Sequence, residues 1–353
     1  MAAAAELGSF GVEHTHADLN NGLQPSSENK IQEPMTTRQP TFNRQLVSMR
    51  SLALLAAFLA ATVASRADTV YVSNWNNDTI EKYDSVTGSR LDIFNIGGPQ
   101  GLALDSAGNL FAVQWTSSSI VKYTPDGVRS VFATGLRGPK GLAFDSAGNL
   151  YVGNVANNTI MRFTPGGVGS LFATSLSTPY HLTFDSAGNL YVGTYTGNMI
   201  EKFTPGGAGS VFATGLNGPM GLAFDSGGNL YVANYYGHTI EEFTPGGVRS
   251  VFASGLTEPA GIAFDSSGDL YVADQWSMPN YGSVVKYTPD GVGSPFASTF
   301  LSGPSYIAIL VPEPSAMELL SLGLPALLVF RWQKAMANTL APRRTKRMQQ
   351  TPR

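Results

Sequence analysis

Six polar residues recur at one fixed place in the chain. Asn74, Gln114, Asn154, Thr194, Asn234 and Asp274 each close a short apolar run, and each stands 40 residues from the next. Amide and hydroxyl oxygens joined by one carboxylate are a donor set suited to a hard cation such as Ca²⁺ or Mg²⁺. Asn154, Asn234 and Asp274 form its most ligand-like part. The same side chains would also satisfy backbone groups where a strand enters its loop, and the residues alone leave both readings open. In the loops after them come Trp75, Trp115, Tyr195, Tyr235, Tyr236 and Trp276, with Tyr180 and Tyr306 at neighbouring repeat starts. Aromatic faces beside Asn and Gln amides are what a sugar-binding surface uses, whereas packing between neighbouring elements would call for the same rings. His181 replaces a Gly that opens the other repeats and is a candidate base or ligand beside those aromatics. His238 falls in a loop before Thr239. No catalytic residue is assigned, because the chain has no Cys and no Gly-x-Ser-x-Gly turn.

These positions are set by a repeat. Segments starting at Gly101, Gly141, His181 and Gly221 are each 40 residues long and align without gaps, and a fifth runs from Gly261 to Ser305. Within each, runs rich in Phe, Tyr, Val and Ile alternate with turn residues, which predicts four antiparallel strands per repeat. In Asp145-Ser-Ala-Gly-Asn149 the Asp can accept from backbone amides while Gly148 takes positive φ. Thr164-Pro-Gly-Gly167 reads as a type II turn, and Asp126-Gly127 and Asp290-Gly291 replace the Gly pair in two repeats. Four strands per 40 residues is one propeller blade. Tyr306–Leu310 matches the first strand of a sixth repeat whose remaining strands lie in residues 69–100. The expectation is therefore an all-β, six-bladed propeller over residues 68–310, closed by a C-terminal strand that joins the N-terminal blade. The fifth repeat carries an insertion, Gln275–Gly282, in the loop that bears Trp276.

Composition agrees with this reading. Only 13% of residues are charged, and 39 Gly with 21 Pro supply turns. Residues 68–310 hold 18 acids and 10 bases, net −8, which disfavours nucleic acid as a partner. Residues 311–353 hold two acids and seven bases, net +5. Residues 49–67 have a basic start, an uncharged run from Leu52 to Val63, and small residues at Ser65 and Ala67, as in a signal peptide. Residues 1–48 are polar and aperiodic, and are read as a disordered or mis-assigned leader.

The repeat wording Pro-x-Gly-Leu-Ala-Phe-Asp-x-x-Gly-Asn-Leu-Tyr-Val, as at 139–152, with Thr-Ile-x-x-Phe-Thr-Pro-x-Gly, resembles NHL-repeat propellers. It is also similar to the SMP-30/gluconolactonase/regucalcin-like and virginiamycin B lyase-like families. The gluconolactonase resemblance implies a divalent ion at the axial mouth held by Glu, Asn and Asp. Asn154, Asn234 and Asp274 match the last two kinds, and no Glu stands at the expected place. The lyase resemblance implies clustered His and Glu, which this chain lacks. Residues 311–353 read Val-Pro-Glu-Pro-Ser, an apolar run from Ala316 to Phe330, then a basic tail. This resembles the PEP-CTERM sorting signal of Gram-negative bacteria. That resemblance implies export, a C-terminal membrane helix, handling by an exosortase, and a link to exopolysaccharide. The expected function is a cell-surface binding or interaction module, with polysaccharide or an envelope protein as partner. A metal-dependent lactonase is the alternative.

Overall fold

The computed structural model describes residues 67–276, 282–299 and 301–312. The leader 1–48 lies outside them, as do the signal peptide except Ala67, the sorting segment beyond Pro312 and most of the blade insertion. Among the described residues no helix is long and apolar enough to cross a membrane.

The described residues form six four-stranded antiparallel sheets. Five of them take their strands in sequence order; the third, for example, runs Pro139–Phe144, Leu150–Asn154, Thr159–Phe163 and Gly169–Ala173. The first blade orders Pro304–Leu310, Thr69–Asn74, Thr79–Asp84 and Arg90–Asn95, with Thr69 opposite Leu310 in the register. The leading strands of the six sheets pack side by side around an axis, each against those of its two neighbours. They begin at Pro99, Pro139, Pro179, Pro219, Pro259 and Pro304.

Blades pack through a repeated aromatic stack. Tyr151 meets Phe172 and Phe184 edge-on, with centroids 4.9 and 5.0 Å apart, and Tyr191 and Tyr231 do the same in the next blades. Edge-to-face contacts of this kind add to area burial and fix blade spacing. The Asp turn forms as its residues dictate: Asp145 Oδ1 accepts from the N–H groups of Ala147 and Asn149 at 3.0 and 2.8 Å, and Gly148 has φ +78°. The Pro-Gly-Gly turn differs from the type II expectation. Gly167 N–H donates to the Thr164 carbonyl at 2.8 Å, and the positive φ falls on Gly167, at +83°, rather than on Gly166. The geometry is a type I turn followed by a left-handed glycine, so the preceding position tolerates Asp126 and Asp290.

Candidate functional site

Loops between second and third strands share one face with the linkers that enter each new blade, and together they surround the axial mouth. The third residue of each leading strand is Gly101, Gly141, His181, Gly221, Gly261 or Tyr306. Four of these positions forbid a side chain because the neighbouring strand is too close. A Cβ on Gly141 would lie 2.5 Å from the Tyr180 carbonyl oxygen, and one on Gly221 would lie 2.1 Å from that of Ala260. The two large residues come from opposite blades and meet: His181 stacks on Tyr306 with centroids 5.3 Å apart and planes 10° from parallel. Tyr306 OH donates to the Tyr180 carbonyl at 3.0 Å. His181 Nδ1 is buried without a hydrogen-bond partner, and burial pushes its pKa down to about 4. A neutral imidazole in a ring stack bridges the axis. Its Nδ1 is shut away from solvent, while the side chain as a whole is half-buried.

The aromatic positions are held by backbone. The N–H groups of Trp75, Trp115, Tyr195 and Tyr235 donate to the carbonyls of Gly303, Gly98, Thr178 and Gly218 at 3.0–3.1 Å. Five of the loops end on a left-handed residue, and three of these lock the loop to the next linker: Asp78, Asn158 and Asn198 accept from the N–H of Gly98, Thr178 and Gly218 at 2.7, 3.0 and 2.8 Å. His238 occupies the same place, its Nδ1 against the Thr257 carbonyl, which is a structural role. Gly98, Gly138 and Gly218 adopt positive φ and lie under the rings, with Trp75 over the first, Trp115 over the second and Tyr195 and Tyr236 over the third.

On this frame the rings form an arc. Trp75 and Trp115 are T-shaped at 6.2 Å; Tyr180, Tyr195, Tyr235 and Tyr236 are linked by contacts of 5.1–6.3 Å, with Tyr195 OH donating to Tyr236 OH at 2.7 Å. Tyr235 OH donates to Glu258 Oε2, and burial with that carboxylate raises its pKa. Trp276 stands one position later in its loop than Trp75 and Trp115, in the place of Tyr236. Trp75, Tyr236 and Trp276 present 36, 54 and 46% of their surface to solvent.

The six polar residues lie one strand out from the axis. Asn154 Oδ1 accepts from Arg137 N–H at 3.1 Å and Asn234 Oδ1 from Asn217 N–H at 3.3 Å. Asp274 takes Thr257 N–H on both oxygens and Glu258 N–H at 2.6 Å. Gln114 accepts from Arg129, Thr194 donates to the Met199 carbonyl, and Asn74 donates to Thr79. Asn154, Asn234 and Asp274 are thus linker caps, which need only local geometry, whereas Gln114, Thr194 and Asn74 bond within their own blades and Asn74 Oδ1 is buried without a hydrogen-bond partner. Asn154, Asn234 and Asp274 each spend side-chain oxygen on a backbone N–H group of the linker that enters their own blade. Among the described residues no three His, Cys, Asp or Glu side chains gather as a metal site.

Sequence reasoning missed Lys140. It is the second residue of its leading strand, beside Gln100 and Tyr180 on the flanking blades. Its Nζ lies 4.3 Å from the centre of Trp115, 5.0 Å from Tyr180 and 5.3 Å from Trp75, and donates to Gln100 Oε1 at 2.9 Å. Burial lowers its pKa to about 8 and raises that of Tyr180 to about 12. The signal was a basic residue where the other blades have Gln, Tyr, Met, Ala or Ser. Its meaning depended on rings from three other blades. A second depression, of about 420 Å³, lies on the opposite face between the fourth and fifth blades. There Lys202 pairs with Asp185, an arrangement that Lys122–Asp105 and Lys286–Asp265 repeat, so that depression is a by-product of blade packing.

No family model and no curated protein matches this chain. Solved structures share the fold. A chain of the nidogen/laminin complex is 20% identical, with a TM-score of 0.62 over 69% of this chain and 98% of that one. Virginiamycin B lyase from Staphylococcus aureus, with quinupristin, is 16% identical, with a TM-score of 0.54 over 70% and 94%. A gluconolactonase from Xanthomonas campestris is 18% identical, with a TM-score of 0.55 over 71% and 93%. At these identities the likeness is one of fold, which hosts both protein binding and enzymes.

Proposed function

We propose that this chain is an exported, envelope-associated propeller that binds a glycan through the aromatic arc at its axial mouth, without catalysing a reaction. One observation carries the reading: exposed indole and phenol faces stand on one surface, on loops fixed by backbone hydrogen bonds to the linkers. Flat apolar faces held rigidly, with amides nearby, suit sugar rings, because little ordering is required on binding. Export rests on residues 49–67 and on the resemblance of residues 311–353 to a sorting signal, with an exosortase and a membrane-inserted C-terminal helix as the implied route. The first strand starts at Thr69, directly behind the expected cleavage site.

The test is binding of the full chain to isolated cell-surface polysaccharide. Trp75→Ala, Tyr236→Ala and Trp276→Ala should each weaken it about tenfold, roughly 1.4 kcal/mol, and their unfolding midpoints check that the variants are folded. Retention of full affinity by the triple variant would end the glycan reading and turn attention to an envelope protein as partner. The lactonase alternative asks for metal ligands that here cap backbone. Millimolar Ca²⁺ or Mg²⁺ after EDTA should leave the unfolding midpoint unmoved. Stabilisation approaching the ~2.7 kcal/mol of a ligand at 100 times its Kd would restore the metal reading.

A further inference from the structure

Lys140 differs from three other lysines that pack over rings in the propeller. Lys122, Lys202 and Lys286 pack over Phe111, Tyr191 and Tyr271 with Nζ 4.9–5.3 Å from the ring centres, and each also reaches an aspartate within 4 Å. Lys140 has three such rings and pairs with no carboxylate among the described residues. Its hydrogen bond to Gln100 Oε1 uses one of three donors. Ring faces offset part of the cost of taking an ammonium out of water, but they are neutral groups. A partly buried cation held in fixed geometry without an anion is an incomplete ion pair, and breaking such pairs is costly. Its location decides what would complete it. The ammonium stands 5.3 Å from the centre of Trp75, an indole open to solvent at the edge of the axial mouth. A uronic acid pyranose carries its carboxylate on C5, at the rim of the ring, where a cation beside a stacking indole can meet it.

We propose that Lys140 recognises the carboxylate of a uronic acid residue, so that the glycan bound at the mouth is an acidic one. This rests on the glycan reading above and narrows it. The body of the propeller is strongly acidic, at net −8 over residues 68–310, and repels polyanions at long range. Selectivity must therefore come from the single caged cation. Added salt should spare it, because the pair is partly buried while the repulsion is screened.

The experiment is calorimetric titration of the full chain with galacturonate and glucuronate trisaccharides and with their carboxyl-reduced, neutral counterparts. The wild type should prefer one of the acidic sugars over its neutral counterpart at least tenfold, at both 0.05 and ~0.3 M salt. Lys140→Met should bring the acidic sugar to the affinity of the neutral one and change the neutral affinity less than twofold. Lys140→Arg should keep part of the preference. Equal affinity for acidic and neutral sugars, or equal loss of both in Lys140→Met, would overturn carboxylate recognition and leave the glycan reading standing. Binding of neither sugar would overturn the inference, while the polysaccharide assay with the exposed-ring variants judges the broader reading separately. Equal, Lys140-dependent binding of a poly-glutamate peptide would reassign the site to an acidic protein segment. The unfolding midpoint of Lys140→Met checks that the variant is folded.

Discussion

Burial acts on two side chains at the axis in the same direction but with different consequences. Lys140 has its pKa lowered from 10.5 to about 8. Between those values the unfolded chain binds more protons than the folded one, so stability rises with pH across the window. Below about pH 8 the charged, desolvated amine is a standing cost. At about 1.4 kcal/mol per pKa unit, that cost is at most on the order of 3 kcal/mol, and the ring faces offset part of it. Lys140→Met should therefore be more stable than the wild type at pH 7, and the difference should shrink between pH 8 and 10.5. Tyr180, with its pKa near 12, stays neutral throughout. Urea unfolding of both proteins across that range measures the effect. A pH-independent difference would mean that Lys140 is not desolvated. His181, lowered from 6.5 to about 4, gives the acid counterpart. Here too the unfolded chain binds the extra proton, so stability falls as pH drops from 6.5 to 4 and is flat below. His181→Phe keeps the stack on Tyr306 and should remove roughly 1–3 kcal/mol of that acid loss.

Turns and caps are where the strands acquire their register, and they divide into positions that need a special residue and positions that do not. Gly167 adopts φ +83°, so Gly167→Ala should cost about 1–2 kcal/mol. Gly166 lies outside the left-handed region and a Cβ there meets only Thr164 Oγ1 at 3.9 Å, so Gly166→Asp should stay within about 0.5 kcal/mol. Denaturant midpoints of the two variants separate this turn from a type II turn, which would reverse the order. Asp274 is a more demanding case, since Asp274→Ala strips acceptors from the N–H groups of Thr257 and Glu258. It should destabilise by about 2–3 kcal/mol, and Asp274→Asn by less. Neither loss should depend on Ca²⁺. The existence and spacing of these elements were legible in the sequence, because Asp-Ser-Ala-Gly-Asn and Thr-Pro-Gly-Gly carry their mechanisms locally. The role of Asn154, Asn234 and Asp274 was legible only as a choice. A 40-residue period places them at strand ends, but the depth of each strand from the axis is settled by how blades pack. Lys140 was illegible for the same reason in stronger form. Trp75, Trp115 and Tyr180 are 65, 25 and 40 residues away from it in sequence, and nothing local announces that they converge.

At the scale of the whole molecule, the ring has one blade assembled from both ends of the repeat array. Pro304–Leu310 pairs with Thr69–Asn74 and also packs against the leading strands of the flanking blades that start at Pro99 and Pro259. Asp68 strengthens the junction: its carboxylate accepts from Ser266 N–H at 2.7 Å, and Tyr271 OH donates to the Ser85 carbonyl at 3.2 Å. The boundaries between blades are held mainly by side chains, through rings such as Tyr151 against Phe172 and Phe184. The shared blade thus adds a backbone ladder to a ring whose blade boundaries are packed by side chains, and ladder bonds between residues 230 or more positions apart must break before the ring opens. Since Thr69 and Leu310 are register partners, a short hairpin can join them, and new ends can be cut between Gly135 and Leu136, where two intact blades meet. Such a permutant keeps every blade and loses only the split closure. Its equilibrium stability should change little, because few native contacts are removed, whereas its unfolding in guanidinium should be at least ~10-fold faster, because the ring can open at a boundary held by side chains alone. An unfolding rate equal to that of the parent would show that ring opening is not the barrier, and that the blades unfold individually before the closure is tested.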